Sequence, residues 1–179
     1  PLTPVQILWV NMVTALSLAL SLAFEPSEKN IMNREPRKVH EALLTPYLVW
    51  RVAFVSTILM AGTFSLFLWE MGEGASIEHA RTVSVNTLLM FEVFYLFNAR
   101  YITSSVLNWS GFTSNPYALL SIAILIVFQL AFTYLPVMQS LFGTTAINLS
   151  MWLTIIIVSS SVLFLVEFEK YIVRKLYYK

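Results

Sequence analysis

Apolar residues run along this chain in five long blocks, separated by shorter polar or charged intervals. The blocks cover residues 5–24, 47–69, 82–99, 117–135 and 149–166. A hydrocarbon core about 30 Å thick needs about 20 helical residues at about 1.5 Å of rise each, and every block is near that length. No block alternates apolar with polar positions as a lipid-facing strand would. Proline or glycine punctuates the borders at Pro26, Pro46, Gly72, Gly74, Pro116 and Pro136. The pattern predicts an all-α, polytopic transmembrane helix bundle with five spans. A charged loop over 25–46, a short loop over 70–81, a polar stretch over 100–116 and an uncharged stretch over 136–148 connect them.

Composition agrees with a membrane setting. Of 179 residues, 58% are hydrophobic and 12% charged, about half the charge of a usual soluble domain. The mean hydropathy of +0.72 excludes disorder, which needs low hydrophobicity and high net charge. A net charge of +1 gives no reason to expect nucleic acid. No cysteine is present, which excludes disulfides, thiolate metal sites and cysteine nucleophiles. All ten acidic residues are glutamates. The chain opens at Pro1 with no basic n-region or small-residue cleavage site, so a piece of a longer protein is expected.

Charge sets the expected direction. Lys29, Arg34, Arg37 and Lys38 lie in the first loop, Arg100 opens the third connection, and Lys170, Arg174, Lys175 and Lys179 lie in the tail. Five spans put all three regions on one side. The other side holds Arg81 beside Glu70, Glu73 and Glu78. Positive charge stays inside, so the 25–46 loop and the C-terminus are expected in the cytoplasm and Pro1 outside. Arg51, just within the second span, is expected to snorkel toward headgroups. The five tryptophans are expected mostly near span ends, in the aromatic belt. His40 and His79 are expected alone in loops on opposite sides, which leaves no histidine metal site.

Polar residues inside the spans carry the candidate chemistry, because an unpaired polar group in hydrocarbon is costly. At about 100° per residue, Gln6, Asn11, Thr14, Ser17 and Ser21 share an arc of roughly 140° on the first span. Ser84, Thr87, Glu92, Tyr95 and Asn98 share a face of the third. Glu92 is the only acid well inside any block. An acid at mid-helix is unfavourable by about 3 kcal/mol, which a bound cation, a proton or hydrogen bonds from neighbouring helices must offset. Asn11 and Thr14 are either glue between helices or hard oxygen donors for Ca²⁺, Na⁺ or K⁺. Gln6, Ser17 and Tyr95, on the same faces, are candidates for supporting roles. Gln129 is expected to hydrogen-bond between helices, and the Ser159–Ser161 run suits close helix packing. No phosphate-binding loop, dinucleotide fingerprint or Ser–His–acid set is present.

The first span reads "PVQILWVNMVTALSLALSLAFEP", and the loop behind it holds Ile31, Met32, Arg34, Pro36 and Arg37 in an "IM-R-PR" run. Both resemble the sixth membrane helix and following cytoplasmic loop of P-type cation-transporting ATPases of the calcium-pump and sodium-pump type. The run "NTLLMFEVFYLFNAR" resembles the eighth helix of that family, and "VEFEKYIVRK" the end of its tenth. The resemblance covers nearly the whole chain, as helices six to ten.

It implies cation-ligand positions at Asn11, Thr14 and Glu92. It also implies a contact of Arg34, Pro36 and Arg37 with the cytoplasmic domains. In the calcium pumps an aspartate follows the threonine directly, and here that position is Ala15. The departure removes one carboxylate and leaves a monovalent cation, a single divalent ion or protons as cargo. The family's phosphorylated aspartate sits in a "DKTGT" motif, and this chain has no aspartate. The resemblance therefore implies an ATPase only as a full-length pump. Mg²⁺ and ATP are used there through domains outside this chain, and the partners are the N-terminal part of the same pump and the bilayer. The alternatives are a channel or secondary-carrier fragment, or a membrane assembly subunit.

Overall fold

The computed structural model describes residues 2–19, 23–24, 45–100 and 115–177. Among these, every regular element is helical. Helix α1 spans Pro4–Thr14 and continues as a single π-helical turn over Ala15–Ala19. Then follow α2 (Pro46–Gly72), α3 (Ile77–Ala99), α4 (Pro116–Tyr134), α5 (Pro136–Phe142) and α6 (Leu149–Tyr177). Four of them (α2, α3, α4 and α6) are long and apolar enough to cross a membrane, and α1 is a shorter apolar helix.

Local chemistry starts each helix where it starts. Thr3 caps α1 in a reciprocal box: its hydroxyl accepts from the Gln6 N–H, and the Gln6 side chain accepts from the Thr3 N–H. Thr45, Ser76 and Asn115 cap α2, α3 and α4 through side-chain oxygens. Pro4, Pro46, Pro116 and Pro136 sit in first turns, where a missing N–H costs nothing.

The least apolar of the four long helices, α3, is the most deeply buried. Fourteen of its 23 residues are buried, including Ser84, Asn86, Thr87 and Asn98. The apolar helices surround it and turn residues such as Val52, Met60, Val127 and Ile157 outward. In lipid this is the sensible order, since the outward faces need no polar partners and the polar helix finds its partners inside. On one side Val55, Phe91, Val162 and Val166 join α2, α3 and α6. On the other, Trp9, Val10, Val13 and Leu18 pack with Val85, Leu89, Val93 and Leu96 of α3 and Leu125 and Phe132 of α4.

Several expectations change in the structure. The stretch over 136–148 contains α5, a short helix closed by Gly143 in the left-handed conformation (φ 62°). Helix α3 begins at Ile77 and α6 runs on to Tyr177, both beyond the apolar blocks. Arg51 does not snorkel toward headgroups. It is 5% exposed, forms an ion pair of 2.5 Å with Glu169 of α6, and hydrogen-bonds to the Tyr47 hydroxyl. Trp9 is not in an interfacial belt but in the core, stacked on Phe132 with 5.3 Å between ring centroids. His79 is neither in a loop nor alone. It lies in the first turn of α3, with Nε2 3.3 Å from Glu70 and Nδ1 3.3 Å from the Thr145 hydroxyl. Residue 40 and the 25–44 part of the charged loop lie outside the described residues.

Candidate functional site

A cleft of about 480 Å³ opens between α1 and α3. Asn11, Thr14, Ala15 and Leu18 line it from α1 and the π-turn. Glu92, Tyr95, Leu96 and Ala99 line it from α3. Four of the residues singled out by their polar arcs, Asn11, Thr14, Glu92 and Tyr95, thus line one space.

The cleft is built by the way the two helices meet. Val10 and Val13 bury one side of α1 against Leu89 and Val93. Asn11 and Thr14 follow those residues by one position, so they turn to the edge of the same contact. Asn11 is exposed and Thr14 half-buried. The π-turn begins at Ala15, directly after Thr14. A wider turn rotates the following residues relative to an α-helix, and such turns often mark functional sites. Here it brings Leu18 to the cleft wall.

The lining surface is mostly apolar, and Asn11, Thr14, Glu92 and Tyr95 supply its polar groups. The Thr14 side chain is a hydrogen-bond neighbour of the Glu92 carboxyl. One Glu92 oxygen, Oε2, is buried with no hydrogen-bond partner among the described residues. A hydroxyl has one proton to give, and Thr14 donates it to the Val10 carbonyl at 2.8 Å. Its oxygen lone pairs are then left for an electron acceptor such as a cation, or for a proton carried by Glu92. Amide, hydroxyl and carboxyl oxygens on facing helices are the donor set that hard cations take.

The supporting residues divide. Tyr95 lines the cleft and also hydrogen-bonds to Arg51, so it joins the cleft to the buried Arg51–Glu169 pair. Ser17 is buried and does not line the cleft. Gln6 is fully buried two turns away, where its amide caps α1 and donates to the Phe142 carbonyl at 3.0 Å. Arg34, Pro36 and Arg37 lie outside the described residues.

Two polar clusters flank the cleft, and neither was legible as a unit in the chain. Beyond Tyr95, Lys170 is fully buried between Glu167 at 3.0 Å and the Asn98 carbonyl at 3.2 Å. Between α1, α3 and α4, Trp9 Nε1 donates to Gln129 Oε1 at 3.3 Å and Gln129 Nε2 to Asn86 Oδ1 at 2.9 Å. That second cluster bears out the expectation that Gln129 bonds between helices. The Ser159 hydroxyl, fully buried, donates to the Thr87 carbonyl at 3.2 Å, so it too ties helices together. Among the described residues no group of three or more His, Cys, Asp or Glu side chains is placed to hold a metal ion.

Comparison with known proteins gives a consistent result. The family described as "Cation transporting ATPase, C-terminus" matches residues 1–172. "Probable cation-transporting ATPase F" of Mycobacterium tuberculosis is 41% identical over 175 residues, covering 97% of this chain and 19% of that protein. "Calcium-transporting ATPase 1" of Yarrowia lipolytica is 33% identical over 174 residues, again 97% and 19%. "Calcium-transporting ATPase type 2C member 1" of Pongo abelii is 28% identical over 174 residues, with the same two shares. The chain spans about a fifth of the length of these curated relatives.

Proposed function

This chain belongs to the P-type cation-transporting ATPases, as their C-terminal membrane region, and on that premise we propose that the α1–α3 cleft is part of the site and pathway of the transported cation. The observation that carries the proposal is the convergence of Asn11, Thr14 and Glu92 on one cleft, with a Glu92 oxygen left unpartnered. Glu92 supplies the charge, and Asn11 and Thr14 supply neutral oxygens. The remaining ligands come from the N-terminal part of the same pump, which also brings the cytoplasmic domains that use Mg²⁺ and ATP. Glu92 exchanges a proton for the ion as the pump alternates.

The coupling needs two states with different affinities, since a ligand shifts an equilibrium only by its differential binding. The π-turn beside Thr14 suits that requirement, because it is the least regular part of α1 and adjoins the cleft. The loop over 25–46, with Arg34, Pro36 and Arg37, receives the motion from the cytoplasmic domains. In this arrangement the loop and the C-terminus are cytoplasmic.

Glu92→Gln in the full-length pump tests the reading. Cation-activated phosphorylation from ATP should require about tenfold more cation, as expected when a charged ligand becomes neutral. Unchanged apparent affinity would take Glu92 out of the site.

A further inference from the structure

The buried chain Trp9–Gln129–Asn86 has no part in lining the cleft, yet it touches both helices that do. Trp9 lies on α1 two residues before Asn11, and Asn86 lies on α3 six residues before Glu92. Gln129 of α4 stands between them, fully buried, as is Asn86. We propose that Gln129 is a positioning residue for the cation site: through Trp9 and Asn86 it sets the rotation of α1 against α3, and so the distance of Asn11 and Thr14 from Glu92. The inference rests on the cleft being the cation site.

The chain of hydrogen bonds can run in one direction only. An indole N–H is a donor and never an acceptor. Gln129 must therefore turn its carbonyl oxygen to Trp9 and its amide nitrogen to Asn86. Asn86 must in turn present Oδ1 to Gln129 and its nitrogen to acceptors. It does so, donating to the Thr82 carbonyl at 2.8 Å and the Thr133 hydroxyl at 3.2 Å. Thr133 passes its own proton to the Gln129 carbonyl at 2.9 Å. An indole at one end and a main-chain carbonyl at the other fix every amide between them. Gln129, Asn86 and Thr133 are fully buried, so a slip in any one leaves a buried donor or acceptor unmet.

Packing holds the indole where the chain needs it. The Trp9 ring clusters with Phe132 and Phe142, with centroids at 5.3 and 5.1 Å from its own and 5.1 Å from each other. One turn away, the Gln6 amide donates to the Phe142 carbonyl. The N-terminal half of α1 is thereby fastened to α4 and α5, and the π-turn that follows packs on α4 as well, through Leu18.

The test uses the full-length pump, with Ca²⁺, Mn²⁺, Na⁺ and K⁺ each titrated against phosphorylation from ATP. Trp9→Phe keeps the stack and removes the N–H, and Gln129→Leu removes the amide. Trp9→Phe should raise the half-maximal concentration of the activating cation about fivefold, as for one lost buried hydrogen bond, and Gln129→Leu, which loses two, should raise it at least as much. The half-saturating ATP concentration should not move. Trp9→Phe with Gln129→Leu should shift no further than Gln129→Leu alone, because the bond that Trp9→Phe removes is already lost there. Unchanged cation affinity in Trp9→Phe and Gln129→Leu, or shifts that multiply in the double variant, would overturn the inference while leaving the cleft reading in place. If Glu92→Gln also leaves every cation's activation unchanged, the cleft reading fails and the inference with it.

Discussion

Ala15 stands on the cleft wall directly after Thr14, exposed and at the start of the π-turn. There is room for a longer side chain. Ala15→Asp adds a carboxylate oxygen to the lining and one negative charge to the site, the two properties that raise Ca²⁺ affinity. In the full-length pump the variant should lower the Ca²⁺ concentration for half-maximal phosphorylation by about tenfold. An unaltered Ca²⁺ response would mean that the missing carboxylate does not set selectivity. At the far side of Tyr95, Arg51 and Glu169 are 6% and 8% exposed at their side chains, so each needs the other. Glu169→Gln or Arg51→Met alone should cost about 3–5 kcal/mol of stability, read as a drop in thermal midpoint of the pump in detergent. Arg51→Met combined with Glu169→Leu should cost far less, and single losses that simply add in the double variant would deny that the pair is coupled. At this scale the single-helix arcs were legible in the chain: about 100° of turn per residue groups Asn11 with Thr14 on one helix and Glu92 with Tyr95 on another. Arg51 was misread. Its carboxylate partner lies 118 residues on, and helical spacing carries no information about a partner on another helix.

Helices were legible wherever apolar length and caps coincide. The four longest follow their apolar blocks closely at the ends marked by Pro46, Pro116 and Leu149. The ends that differ are those where helix continues past the hydrocarbon, at Ile77 and Tyr177, since hydropathy reports the solvent and not the backbone. Helix α5 was overlooked, although Pro136 at its start and Gly143 just past its end are the ordinary signs of a short helix. The π-turn has no such sign; "ALSLA" is as apolar as its neighbours. Close approach between elements was not legible either. A Cβ at Gly62 of α2 would collide with the Phe91 ring of α3, itself 1% exposed. Gly62→Ala should therefore destabilise the α2–α3 contact by about 1–3 kcal/mol, lowering the thermal midpoint. Phe91→Leu added to it should recover part of the loss, and a midpoint unaffected by Gly62→Ala would show that the ring can move aside.

For the molecule as a whole, the polar helix α3 sits inside a jacket of apolar helices, and α1 turns Asn11 and Thr14 to an open cleft rather than to that interior. On the proposed reading, the remaining cation ligands come from other helices of the full-length pump, and phosphoryl transfer from domains that carry an aspartate. Purified residues 1–179 should accordingly form no ATP-dependent phosphoenzyme, and an acid-stable phosphoenzyme from them would contradict this division of labour. The central claim is that the α1–α3 cleft holds the transported ion. Anomalous diffraction from crystals of the full-length pump grown with Mn²⁺, and separately with Tl⁺ in place of Na⁺ or K⁺, tests it most directly. The account predicts a peak within about 3 Å of a Glu92 oxygen and of Asn11 or Thr14, lost in Glu92→Gln. A transported ion bound elsewhere in the membrane, with no oxygen of Glu92, Asn11 or Thr14 in its shell, would contradict it.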